Sequence, residues 1–160
     1  MTLVILWLMQ DLLTVLTGGG MQIPSIFMIG LVYRILASGG KDNISGEYRD
    51  LWAVWAAFAG GILWDLRWAG IPGFYTLGYV IVVMIVVQVW RIIPPQGRLS
   101  GNYMLVFWLM ELSQLIPPLV PVLILGGKVG WNFFLTQQVY SLPVILLGMY
   151  MYRRKVKRLV

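Results

Sequence analysis

The sequence predicts an all-α polytopic membrane protein built as a six-helix transmembrane bundle, and three observations predict it. Apolar residues make up 59% of the chain and mean hydropathy is +0.81, where soluble domains hold roughly 45–50% apolar residues. Charged residues reach only 11%, against about 25% in soluble domains, which is too little polar surface to face water. Long uncharged runs recur, 23 residues from Trp68 to Trp90 and 21 from Asn132 to Tyr152. A hydrocarbon core of ~30 Å is crossed by about 20 helical residues, so the lipid bilayer is the solvent these features imply. At 160 residues the chain holds one domain, 1–160.

The spans follow in order. Residues 2–17 form an apolar helix containing Asp11, punctuated by Gly18-Gly19-Gly20. A second span covers 21–37, with Arg34 near its end. At 1.5 Å per residue each reaches only about 25 Å. Two short spans turning at the glycines is the preferred reading; one long broken span, giving five helices in all, is the alternative. The third span is 50–65 and ends at Asp65, the fourth is 70–90, the fifth is 102–125 with Glu111 inside it, and the sixth is 132–152. The N-terminus lacks a basic stretch and a small-residue cleavage site, so it reads as a retained span and not a signal peptide.

Lys and Arg bias sets orientation. With the C-terminus cytoplasmic, that side receives Arg34, Lys41, Arg49, Arg91, Arg98 and the terminal cluster Arg153, Arg154, Lys155, Lys157 and Arg158, while the opposite side receives only Arg67 and Lys128. Ten against two supports the last four spans as drawn, and six spans place both termini in the cytoplasm. The net charge of +6 therefore marks a topology anchor near anionic headgroups, not a nucleic-acid surface.

Cysteine and histidine are absent. That excludes a disulfide framework, a thiol nucleophile, a zinc site and a Ser–His–Asp triad. The few acids sit at different depths, so no nucleophile–base pair assembles. The expectation is a non-enzymatic protein with no cofactor and no metal.

The third span carries small residues at helical spacing. Ala53, Ala57 and Gly61 fall at i, i+4 and i+8, with Ala56 and Gly60 beside them. Such stripes let helix backbones approach closely, a main source of packing energy in lipid. Contact within the bundle is the plainer use, and a docking groove for a partner is the sharper one. Asp11 and Glu111 are intramembrane acids, each costing ~2.5–3.5 kcal/mol or more near a helix centre. Ties between helices explain them more simply than an ion pathway. Asp65 sits among Trp64, Arg67 and Trp68, so it is expected at the water boundary, pairing with Arg67, capping the turn or meeting a partner. Pro117, Pro118 and Pro121 bend or break the fifth span and could open the outer half of the bundle.

The stretch Phe58-Ala-Gly-Gly-Ile-Leu-Trp-Asp65-Leu66, followed by Gly73 and an apolar span from Phe74, resembles the most recognisable part of the rod shape-determining MreD family. There a small-residue helix ends in Gly-x-x-x-Asp-Leu, here Gly61 to Leu66, before a short turn and a further span. Pro24-Ser25 opening the second span and Pro143 in a last span with a basic tail agree with it. The connection 38–50 is longer than usual and the first span is short, which departs from the pattern. The resemblance implies a protein of the bacterial cytoplasmic (inner) membrane that associates with MreC and, through it, with RodA, its transpeptidase partner and MreB, in peptidoglycan synthesis and cell-shape maintenance. On that basis the partner's helix would lie in a groove made by Gly60, Gly61 and the bent fifth span. The competing reading is the substrate-binding subunit of an energy-coupling-factor vitamin transporter, also a small bundle of about six helices. Those subunits usually dock through an Ala-x-x-x-Ala face on the first span, and this chain has no alanine before Ala37.

Overall fold

The computed structural model describes residues 1–17, 25–38, 45–68, 73–94, 98, 100–113 and 131–156. Among them lie six α-helices and no strand: α1 (Thr2–Leu16), α2 (Ile26–Ser38), α3 (Ser45–Trp68), α4 (Phe74–Ile92), α5 (Ser100–Ser113) and α6 (Trp131–Val156). Every expected span falls on one of these helices, with moved ends. The third begins at Ser45, five residues earlier than expected, and the fourth at Phe74, four residues later. Residues 114–125 of the fifth span, including Pro117, Pro118 and Pro121, lie outside the described residues. Pro143 lies inside α6, which continues through it. The N-terminal alternative is resolved in favour of two helices, α1 and α2, packed against each other.

Consecutive helices pair as antiparallel hairpins. In α1 and α2, Leu6 meets Gly30 while Gln10 bonds the Phe27 amide. In α5 and α6, Tyr103 stacks on Tyr152 at one end and Glu111 meets Ser141 further along. Among the described residues the α3–α4 hairpin is the most extensive contact, and α2 touches each of the other five described helices. Its Phe27, Met28, Ile29, Leu31, Val32, Ile35 and Leu36 are all buried. A helix apolar on every side is one that neighbours surround, and α2 forms the axis of the bundle.

Large apolar side chains cover the exterior as well as forming the core, and several polar residues are buried among the apolar ones. Exposed positions are held by large apolar residues on every described helix except α2, among them Leu8, Leu12, Trp55, Leu66, Leu77, Ile85, Leu109, Val139 and Leu147. Buried positions hold Gln10, Thr14, Ser25, Asp65, Thr76, Glu111, Gln138 and Ser141. Scattered exposed apolar residues are ordinary; a continuous apolar exterior around a polar-containing interior is the informative pattern. By length and composition, α4 is the one described helix able to cross a membrane, while α1 and residues 26–37 are apolar but shorter.

Candidate functional site

The α3–α4 hairpin is organised by Asp65. The helix α4 starts at Gly73, whose φ of +89° gives the left-handed turn that glycine adopts without strain, and Gly73 has no side chain to satisfy the first free N–H groups of the helix. Asp65, eight residues back on α3, supplies the acceptor. Its carboxylate receives the backbone N–H groups of Gly73 (3.0 Å), Tyr75 (2.9 Å) and Thr76 (2.9 Å), together with the Thr76 hydroxyl. The helix N-terminus favours that negative charge. One turn earlier on α3, Gly61 lies directly against the α4 backbone at Thr76, where a Cβ would stand 2.5 Å from the Thr76 Cα. Gly61 thus admits α4 and Asp65 fastens it. The spacing of four residues puts both on one face of α3.

This geometry corrects several expectations. Of the roles expected of Asp65, the structure shows capping of the turn: the side chain is buried, at 4% exposure, with its oxygens on the α4 amides. It does not pair with Arg67, whose guanidinium turns to Asp11 on α1. Asp11 also accepts the Trp68 indole N–H at 2.9 Å, so it ties α1 to the end of α3. Leu66 is 76% exposed, since it points about 100° around α3 from Asp65. Gly60 meets the ring of Phe27 on α2, and Ala53 and Ala57 are almost wholly covered. Among the described residues, the small face at Gly60 and Gly61 is covered by the chain's own α2 and α4. The other half of the expected groove, at Pro117 and Pro118, lies outside the described residues.

Polar contacts that sequence reading missed complete this end of the bundle. The Gln10 side-chain oxygen accepts the Phe27 N–H at 2.9 Å, closing one of the free donors at the start of α2. Ser25 and Tyr79 share a hydrogen bond at 3.3 Å, and Tyr79 sits against both Tyr75 and Phe27. Glu111 accepts from Ser141 at 2.9 Å and joins α5 to α6. At the opposite end Arg91 on α4 binds Asp50 on α3 (Nε to Oδ2, 2.8 Å). There Arg98 donates to the carbonyls of Ile93 and Trp90 and lies over the Trp90 ring. The long-range partners among these are up to 54 residues apart in sequence, and no local spacing reveals them.

Among the described side chains, Arg34, Arg91, Arg98, Arg153 and Arg154 gather at the Asp50–Arg91 end, and Arg67 stands at the Asp65 end. Asp11–Arg67 is half-exposed on its arginine side, so it contributes modestly. We expect Asp11→Asn to lower stability by about 0.5–1 kcal/mol, because the amide can still accept from Trp68. Asp11→Ala should cost more. Thermal unfolding in detergent checks both, and equal effects would show that the Trp68 bond carries nothing.

Compared with protein-family models, with curated proteins and with solved structures, the chain finds no match.

Proposed function

We propose that this chain is a polytopic protein of the bacterial cytoplasmic membrane and a non-enzymatic scaffold of the cell-elongation machinery, in the manner of the MreD family. The observation that supports the membrane part is the large apolar residues exposed on every described helix except α2, with the buried polar groups tied between helices. In hydrocarbon an unpaired polar group is costly. Gln10, Asp11, Ser25, Asp65, Thr76 and Glu111 all spend at least one polar atom on a bond to another helix or helix end. The basic end then faces the cytoplasm, as the positive-inside rule requires.

For the scaffold part, the support is how the quoted motif is used. Gly61-x-x-x-Asp65 builds a rigid hairpin and leaves neither residue open to a substrate. A rigid bundle with an apolar exterior suits lateral association with a single-helix partner such as MreC. Since the small face is filled from within, the partner's helix would lie on the outer surface. The experiment is co-expression with an MreC-type protein and purification in mild detergent. The chain should resist carbonate extraction from membranes and carry the partner through affinity and size-exclusion steps. Recovery of folded chain without the partner would overturn the scaffold reading, and release by carbonate would overturn the membrane reading. A tightly bound vitamin in the purified chain would favour the transporter subunit instead.

A further inference from the structure

We propose that Glu111, Gln138 and Ser141 form a binding site for a monovalent cation between α5 and α6, and sodium is the probe that tests it. Glu111 and Ser141 are wholly buried at 0% exposure, and Gln138 is buried at 9%. The Ser141 hydroxyl donates to Glu111 Oε2 at 2.9 Å, which leaves Oε1 buried with no hydrogen-bond partner. Gln138 lies three residues before Ser141, on the same face of α6, and its amide nitrogen is likewise buried with no partner. A helix tie through Ser141 accounts for one carboxylate oxygen and for neither of these two atoms.

The oxygen and nitrogen of a glutamine amide exchange places by a half-turn of the terminal torsion. In the proposed site the amide oxygen turns toward Glu111, so that a carboxylate, an amide and a hydroxyl oxygen would serve the ion. Hard oxygen donors suit hard cations. A single carboxylate balances a single positive charge, whereas calcium and magnesium sites draw on further carboxylates, waters or phosphates. Among the described residues no three acids, histidines or cysteines converge, which fits a monovalent ion. Binding would satisfy Oε1 and stabilise the folded bundle by mass action. The site depends on the α5–α6 pairing and not on the scaffold reading, so either can fail alone.

The test is thermal unfolding of the full chain in detergent at fixed ionic strength, replacing N-methyl-D-glucamine chloride with sodium chloride. The midpoint should rise with sodium and continue linearly in the logarithm of its concentration once the site fills. Glu111→Gln and Gln138→Leu should each abolish the response. Gln138→Leu keeps the acid and its Ser141 bond, and so guards against simple loss of folding. Parallel series in lithium and potassium identify which cation fits best, and a response of this logarithmic form to any of them supports the site. A wild-type midpoint indifferent to all three, or a response that survives both substitutions, overturns it.

Discussion

Asp65→Ala should be among the most damaging single substitutions in this chain, lowering stability by about 3 kcal/mol or more. The carboxylate is the acceptor for three backbone N–H groups at the start of α4 and for the Thr76 hydroxyl. Hydrogen bonds to a charged group are worth roughly 1.5–3 kcal/mol each, and a buried donor left unpaired costs about 1–3 kcal/mol. Gly73 offers no side chain to take over, and water has little access to a group 4% exposed. Asp65→Asn keeps one acceptor oxygen but loses the charge that the helix N-terminus favours, so it should fall between wild type and alanine. Thr76→Val removes only the hydroxyl bond and should cost about 1 kcal/mol. Unfolding of the purified protein by SDS titration or heat ranks the three. An Asp65→Ala midpoint equal to wild type would show that the α4 amides find other acceptors and that the hairpin does not depend on this carboxylate.

That result bears on what a sequence of this kind reveals. Helix number and helical class were legible because uncharged runs such as Trp68 to Trp90 exceed any ordinary strand length. The stripe Ala53, Ala57, Gly61 announced close helix approach. The identity of the approaching helices was not legible, because apolar residues facing lipid and apolar residues facing protein look alike. The axis of the bundle, α2, therefore read as one of its least certain spans, although seven of its apolar residues are buried. Asp65 was singled out by its type, with capping of the turn as one of three open roles. Tryptophans on either side suggested an aqueous boundary, while the deciding contact, the α4 N-terminus eight to eleven residues onward, is a property of the turn. Ser141 carries no charge and drew no attention, yet it bonds Glu111, the acid within the fifth span.

Gly61→Leu should open the α3–α4 hairpin, and its smaller relative Gly61→Ala measures how tightly the hairpin is closed. A Cβ at position 61 would stand 2.5 Å from the Thr76 Cα and 3.0 Å from its nitrogen. These are backbone atoms already held by Asp65, so they cannot step aside singly. Overpacking of this kind costs typically 1–3 kcal/mol, and we expect Gly61→Ala near the top of that range and Gly61→Leu beyond it. Gly60→Ala meets the ring of Phe27, a side chain that can turn, and should cost less. Because the chain has no cysteine, introduced cysteine pairs across α3 and α4 can report the separation directly by cross-linking, with no background. The same variants separate two meanings of the small-residue stripe. If Gly61 packs against α4, Gly61→Leu weakens cross-linking and stability together, and any loss of a co-purifying partner follows from the opened hairpin. If instead Gly61→Leu removes the partner while cross-linking and the unfolding midpoint stay at wild-type values, then α4 does not occupy this face, and the groove for a second protein lies there after all.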